Sequence, residues 1–372
     1  MNVEYMYARA VQVGRSTHHH LHPVLLMLHY LTARQPSTGT SKPPQLLAQR
    51  TYHHQTDKNR KMSTMRAAVV STYGKPPAYT AISDLPAPTS SQLQLKVLAT
   101  GLHNIVRSRA SGTHYSSPPL PQIPGIDGIG ESSDGARYYF NAFRTGSTFA
   151  SHINVERNNA IPVPNKLDTV QTAALVNPAT SSWMAMKART TNLPADFTVL
   201  ILGATSASGH LAIPLARANG AALVIGAARN ADTLSTLGLD TSLIVADDAS
   251  KTDFSSLAGV EIDLVLDYIN GPLPTALLST HKQKKPLQYV HIGTLSGQDM
   301  ALPGAVLRSN NLTIRGSGPG AWSLAEAAKE MPALLEALSA VGEQKVRVVK
   351  LEDVEGQWDS KVDGEGRVVF AP

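Results

Sequence analysis

Residues 198–230 decide the fold, and they read TVLILGATSASGHLAIPLARANGAALVIGAARN. An apolar run typical of a buried strand ends at Gly203, and a helical pattern then runs from near Gly209 to Gly220. A second apolar run follows at 221–228. This order predicts a β–loop–α–β unit with parallel strands. Small residues in the turn let the backbone and the helix N-terminus approach a pyrophosphate.

The turn matches the usual G-x-G-x-x-G pattern only in part, because its three places hold Ala204, Ser206 and Gly209. Alanine at the first place is a small change, whereas the Cβ of Ser206 stands where the phosphate should come closest. The complete frame of about 30 residues still favours dinucleotide binding. A tight packing turn without a ligand is the alternative.

The end of the second strand indicates which dinucleotide is bound. A protein that selects NAD places Asp or Glu there, to bind the ribose 2′-hydroxyl. Residues 221–231 contain no acid, and Arg229 and Asn230 stand at that end. A guanidinium can form charge-assisted hydrogen bonds to a 2′-phosphate, worth about 1.5–3 kcal/mol. The sequence therefore predicts NADPH, and the alternative is that Arg229 is a solvated charge.

Two patterns divide the rest of the chain and predict an α/β protein. Residues 66–165 favour short strands and turns of a small, mostly antiparallel β domain. The following residues alternate apolar strands with helices, which predicts a doubly wound domain with a parallel sheet. The helix over 167–188 is expected to begin at Asp168 or Thr169 and to break at Pro178. The last residues are expected to return to the β domain.

The composition excludes several classes of protein. The 372 residues contain no cysteine, which excludes a disulfide scaffold, an iron–sulfur cluster and a thiol nucleophile. The chain also lacks the G-x-S-x-G motif of many hydrolases. No apolar run approaches the roughly 20 residues of a membrane-spanning helix, so we expect no membrane insertion.

The net charge of +5 arises in the first 64 residues, which carry eight basic and two acidic side chains. The rest carries 25 basic and 26 acidic side chains and indicates no nucleic-acid-binding face. Three interpretations of residues 1–64 stay open: a disordered extension read through ahead of a start at Met62 or Met65, a mitochondrial targeting segment, or metal binding by the HHHLH motif at 18–22. We favour the first, with a cytoplasmic location.

The body of the chain resembles the zinc-independent branch of the medium-chain dehydrogenase/reductase family, the quinone oxidoreductase-like proteins. PGIDGIG, VNPATSSW, the dinucleotide turn and GSGPG carry this resemblance, which runs from Met65 to Pro372. It implies a GroES-like catalytic domain over 65–165 and 321–372, and a Rossmann NADP-binding domain over 166–320. It also implies an active site in the cleft between them, where hydride passes from NADPH to a quinone, enone or related carbonyl.

The same resemblance implies which residues bind the cofactor. By their places in the family's motifs they are Asn177, Thr180, Gly203, Ala204, Thr205, Ser206, Gly209, Arg229, Asn230, Ile292 and Gly293. In this scheme the NPAT stretch lies beside the nicotinamide, and the end of the fifth strand packs on the cofactor.

Two departures from the family's patterns bear on the chemistry. Zinc-dependent relatives read GHE where this chain has Gly125, Ile126 and Asp127, and no cysteine can supply another ligand, so we expect no catalytic metal. Relatives also often carry Asn-x-x-Asp where this chain has His103 and Val106. The proton donor is therefore not assigned by the resemblance.

Three residues on the segment expected to line the cleft are candidates for that donor, namely His103, His114 and Tyr115. Histidine or tyrosine could donate to the developing enolate or phenolate oxygen. Tyr115 follows a turn at Gly112, so its alternative role is a packing aromatic at the rim.

An oxidoreductase with a small-molecule carbonyl or quinone substrate is therefore predicted, without nucleic-acid or membrane partners. The resemblance is compatible with a homodimer. The alternative function is a cofactor-binding redox sensor or partner protein without turnover, which Ser206 and the missing Asn-x-x-Asp motivate.

Overall fold

Two large β-sheets and a two-stranded ribbon organise residues 65–360 and 366–372, the part of the chain that this computed structural model describes. The interpretations of residues 1–64 concern residues outside this description. The domain boundaries proposed from the resemblance stay a prediction.

The first part of the described chain is rich in strands. Its elements are β1 (Arg66–Val69), β2 (Ala78–Ala81), β3 (Gln92–Gly101), α1 (Asn104–Ala110), β4 (Asp127–Glu131), β5 (Arg137–Asn141), β6 (His152–Glu156) and β7 (Ala160–Pro162). Strands β1 and β2 pair with each other as an antiparallel ribbon. Strand β3 pairs antiparallel with both β4 and β6, and β5 and β7 continue the antiparallel sheet beyond β4.

The middle of the chain alternates helices and strands. Its elements are α2 (Thr169–Ala188), β8 (Thr198–Leu202), α3 (Ala207–Ala218), β9 (Leu223–Ala228), α4 (Ala231–Ser235), β10 (Thr241–Ile244), β11 (Leu264–Asp267), α5 (Pro272–Thr280), β12 (Leu287–His291), α6 (Gly304–Ser309) and β13 (Leu312–Gly316). The six strands are parallel, in the order β10-β9-β8-β11-β12-β13. The order reverses between β8 and β11, and such switch points are where doubly wound sheets bind ligands.

The C-terminal part brings the chain back to the first sheet. Its elements are α7 (Leu324–Leu338), β14 (Val346–Lys350), α8 (Val354–Gln357) and β15 (Arg367–Ala371). The seven-stranded sheet has the order β14-β15-β3-β4-β5-β7, with β6 on β3. Only β14 and β15 are parallel in it. A mostly antiparallel GroES-like sheet beside a parallel, doubly wound one confirms the predicted fold class.

The residues of β8 show why both faces of the parallel sheet are covered. Val199 and Ile201 pack into the core beneath α2, α3 and α7, whereas Leu200 and Leu202 pack into the core beneath α5 and α6. Successive side chains of a strand point to opposite faces, so a strand buried on both sides is a continuous apolar run. No helix among the described residues has the length and hydropathy that a membrane crossing requires.

Helix α2 differs from the expectation, because it continues through Pro178. Asp168 caps its N-terminus as predicted, by accepting a hydrogen bond from the Gln171 backbone N–H at 2.8 Å. Proline removes one hydrogen bond from a helix interior. Here the helix is buried over most of its length, including Pro178 itself, so packing holds it in place.

Candidate functional site

The turn after β8 contains two glycines at positions where a side chain would be strained or would overlap neighbouring atoms. Gly203 has φ +87°, and a Cβ on it would lie 2.9 Å from Ile269 Cγ2. A Cβ on Gly209 would lie far inside contact distance of the Gly203 carbonyl oxygen. The first turn of α3 therefore packs directly against the end of β8, which is the close helix–strand approach of dinucleotide folds.

Ser206 caps the helix that it precedes. Its Oγ accepts a hydrogen bond from the Gly209 N–H at 3.1 Å, so the side chain folds back over its own first turn. The N–H groups of Ala207 and Ser208 make no hydrogen bond within the described residues. The substitution of the usual glycine therefore leaves two donors open at the positive end of the α3 dipole.

Ala204 and Thr205 complete the turn and join it to β9. The N–H groups of Gly203 and Ala204 both donate to the Ala227 carbonyl, at 2.9 and 3.1 Å. Ala204 is buried against Gly226, and Thr205 is half-buried. These bonds fix the turn beside the end of β9, two residues before Arg229.

Arg229 and Asn230 stand at that end of β9, and both are exposed. The Asn230 Oδ1 accepts from the Thr233 N–H at 2.8 Å and so caps α4. Arg229 has no carboxylate partner within the described residues. The Arg229 guanidinium, which has no carboxylate partner within the described residues, therefore lies at the edge of the sheet where the glycine turn lies. The Asn230 side-chain carbonyl, in contrast, already caps α4.

Arg367, the first residue of β15, is a candidate site residue that no motif in the sequence indicates. Its Nη2 donates to the Ala207 carbonyl at 2.6 Å. A guanidinium that belongs to the antiparallel sheet therefore lies at the N-terminus of α3. Burial lowers the pKa of Arg367 to about 10, and it has no carboxylate partner within the described part of the chain. A partly desolvated cation at a positive helix end is an arrangement that an anion would stabilise.

His210 directly follows Gly209 and lies in the same partly buried region near Arg367. Burial lowers the pKa of His210, and the positive charge of Arg367 lowers it further. Both effects disfavour a proton on the imidazole while no anion is near.

The ends of β11 and β12 form the other side of the switch point. The N–H groups of Ile292 and Gly293 donate to the Asp267 carbonyl, at 2.7 and 3.1 Å. A Cβ on Gly293 would lie 2.6 Å from the Tyr268 carbonyl oxygen, so only glycine fits there. The Tyr268 hydroxyl bonds the Ser182 hydroxyl of α2 at 2.6 Å, and burial raises the pKa of that phenol.

Asn177 and Thr180 lie half-buried on α2, five and two residues before Ser182. The Thr180 hydroxyl donates to the Val176 carbonyl of its own helix at 2.7 Å. The Asn177 amide makes no side-chain hydrogen bond within the described residues. Helix α2 and the ends of β11 and β12 are thus tied together around Tyr268.

The three candidate proton donors do not come together. His103 is the N-cap residue of α1 and is buried, with Nε2 3.5 Å from Asp127 Oδ1. His114 and Tyr115 follow the other end of α1, with ring centroids 4.2 Å apart. Tyr115 is 79% exposed, and its hydroxyl donates to the Pro319 carbonyl at 2.7 Å. Tyr115 therefore bridges two loops at the surface.

The His114 imidazole is also hydrogen-bonded, to a residue of its own loop. Its Nδ1 accepts from the Ser116 N–H at 3.1 Å. Burial lowers the pKa of His114, and the charge of Arg109 lowers it further.

Similarity to known proteins agrees with this geometry. The chain is 33% identical over 357 residues to a protein named probable NADPH-dependent quinone reductase tdiC from Emericella nidulans, covering 83% of this chain and all of that protein. A solved probable oxidoreductase from Mycobacterium abscessus, 21% identical, matches 84% of this chain and all of that chain with a TM-score of 0.68. The quinone oxidoreductase of Thermus thermophilus, solved also with NADPH, is 23% identical and matches 82% of this chain and all of that chain with a TM-score of 0.63. No family model matches the chain.

Proposed function

Because the chain belongs to the quinone oxidoreductase-like branch of the medium-chain dehydrogenase/reductase family, we propose that it is an NADPH-dependent oxidoreductase that reduces a quinone, an enone or a related conjugated carbonyl compound. The name of the Emericella nidulans relative supports this activity. The observation that carries the proposal is the Arg367 guanidinium beside the open N–H groups of α3, since together they fit a pyrophosphate.

The residues around the turn would hold the phosphates of NADPH. The Ala207 and Ser208 N–H groups and Arg367 would bind the pyrophosphate, with Gly203 and Gly209 allowing the close approach. Arg229 would bind the 2′-phosphate, because no acidic residue stands at the end of β9 to prefer a free 2′-hydroxyl.

The far side of the switch point would hold the nicotinamide. The uncommitted Asn177 amide, with Thr180, would lie against the ring's carboxamide, and the backbone at Ile292 and Gly293 would pack on the ring. When bound, reduced nicotinamide supplies two electrons and one hydrogen to the acceptor carbonyl compound. The contribution of the protein is to fix the acceptor at the cleft and to exclude water.

We further propose that the reaction uses no zinc. The whole sequence contains no cysteine. Within residues 65–360 and 366–372, no three His, Asp or Glu side chains come together as metal ligands. Ile126 stands before Asp127, where zinc-dependent relatives have histidine.

The test uses the purified full-length protein. NADPH binding is measured by calorimetry, and NADPH oxidation is followed with benzoquinone, naphthoquinone, phenanthrenequinone and cyclohexenone, each with and without a zinc chelator. We expect binding, and oxidation with at least one acceptor that the chelator does not change.

Binding without oxidation by any acceptor would instead support the alternative of a cofactor-binding protein without turnover. Absence of NADPH binding would contradict both. Activity that the chelator abolishes would contradict only the absence of zinc.

A further inference from the structure

A buried chain of three polar side chains lies in the antiparallel sheet, formed by His103, Asp127 and Tyr139. The Tyr139 hydroxyl donates to Asp127 Oδ2 at 3.2 Å, and His103 Nε2 lies 3.5 Å from Asp127 Oδ1. His103 is 9% exposed, and Asp127 and Tyr139 are 3% exposed. We refer to it as the His103–Asp127–Tyr139 chain.

The atoms of His103 and Asp127 that face each other have no other partners within the described residues. His103 Nε2 and Asp127 Oδ1 are both enclosed, and at 3.5 Å from each other neither makes a hydrogen bond within the described residues. Burial, and then the charge of Asp127, raise the pKa of Tyr139 well above its usual range, so that the phenol remains a donor to the carboxylate. An enclosed carboxylate oxygen without a donor is costly, and the His103 Nε2–H is the donor within reach.

The imidazole lies at the seam between the two sheets. A Cβ on Gly101 would overlap the His103 ring and would lie 2.8 Å from the Ala173 carbonyl oxygen, so strand β3 ends against both the ring and α2. Ala173 is one helical turn from Asn177, which we have placed at the nicotinamide. The imidazole is therefore within one turn of the proposed reaction centre.

The pairing of β3 with β15 also locates the His103 ring. The Leu102 N–H donates to the Val368 carbonyl at 2.9 Å, so the β3–β15 ladder places Arg367 across from His103. Three elements pack around the His103 ring. Strand β4 supplies the carboxylate of Asp127, strand β15 supplies the cation Arg367, and helix α2 supplies the Ala173 carbonyl.

Resting on the proposed function, we propose that His103 is the catalytic residue that gives a proton to the oxygen of the reduced substrate, and that Asp127 and Tyr139 position it. Nδ1 is the imidazole nitrogen that is not enclosed, and it makes no hydrogen bond within the described residues. It is therefore the nitrogen available to a substrate in the cleft.

Reduction leaves a negative charge on the substrate oxygen, and the imidazolium of His103 neutralises it. The Nδ1–H bond of the imidazolium breaks while an O–H bond forms on that oxygen, and the imidazole becomes neutral. Its Nε2–H stays directed at Asp127, which holds the ring in this orientation. A proton from water restores the cation.

The kinetic test compares His103→Asn and Asp127→Asn with the wild type, and uses His152→Asn as control, since His152 is an exposed histidine of the same sheet. General acid catalysis contributes about a hundredfold or more, so kcat with a quinone should fall by about that factor in His103→Asn. The affinity for NADPH should stay within about twofold. The fall of kcat with rising pH, which a protonated donor produces, should disappear in this variant.

A spectroscopic measurement gives a readout besides activity. In the full-length protein with isotope-labelled histidine, nuclear magnetic resonance should show the His103 Nε2–H hydrogen-bonded to a carboxylate. That signal should be lost in Asp127→Asn and kept in His152→Asn. A His103→Ala variant that binds NADPH should recover turnover when imidazole is added.

The outcomes separate this inference from the proposed function. If the wild type oxidises NADPH with a quinone and His103→Asn does so equally fast with the same pH profile, the inference is wrong and the proposed function stands. An Nε2 without a proton would also overturn it. Absence of turnover in the wild type would overturn both.

Discussion

At the scale of single residues, the site depends on a few positions whose chemistry is not exchangeable. Gly209 is needed because the Gly203 carbonyl occupies the space of a side chain. Arg229 is proposed to bind the 2′-phosphate because no carboxylate of the described residues pairs with its guanidinium.

Replacing Gly209 by alanine should destabilise the protein by about 1–3 kcal/mol, the usual cost of overpacking, and weaken NADPH binding because the turn must open. Thermal unfolding and calorimetry measure the two effects. Gly342→Ala is the matched control, because a Cβ there would meet no atom within 4 Å. Equal stability of the two variants would contradict the close packing.

Replacing Arg229 by glutamine should raise the Kd of NADPH roughly tenfold or more and leave the Kd of NADH unchanged, since only NADPH carries the 2′-phosphate. Titration with both nucleotides tests this, with the exposed Arg144→Gln as control. If Arg229→Gln keeps the preference for NADPH, another residue binds the 2′-phosphate.

At the scale of elements, the sequence predicted most of the strands and helices, because apolar periodicity reports burial directly. The alternating run from β8 to β13 lies where its pattern placed it. Pro178 was expected to break the helix over 167–188, and that expectation was wrong, because local propensity does not include the packing of α2 between neighbouring elements. The roles assigned to individual site residues stay predictions.

The start of α3 shows how one cap can replace the usual glycine. Ser206→Ala should lower stability by about 0.5–2 kcal/mol, because the Gly209 N–H loses its acceptor. Ser206→Gly should cost only a few tenths of a kcal/mol and keep NADPH binding, since glycine is a tolerated N-cap. Thermal unfolding of both variants is the measurement, and equal losses would contradict a capping role.

At the scale of the whole molecule, the contacts at the seam between the two sheets could not be predicted from the sequence. Arg367 and the turn at Ala207 are 160 residues apart, and strand pairing across the antiparallel sheet is what brings them together. The same holds for His103 and Asp127, whose partnership requires the β3–β4 register. No local pattern in the sequence encodes such a pairing.

Arg367→Gln should therefore weaken NADPH and NADH equally, by roughly tenfold to a hundredfold, because both nucleotides carry the pyrophosphate. This equal loss contrasts with the selective loss expected for Arg229→Gln. Calorimetric titration of both nucleotides distinguishes them. A loss confined to NADPH would mean that Arg367 contacts the 2′-phosphate instead.

Strand β15 carries Arg367 at one end and pairs with β3 at the other. A premature stop codon shortly before it would remove a strand of the seven-stranded sheet together with the hydrogen bond from Arg367 to the N-terminus of α3. We therefore expect C-terminally shortened products to be degraded in the cell rather than to persist as nucleotide-free protein, and immunoblots of such alleles would show it.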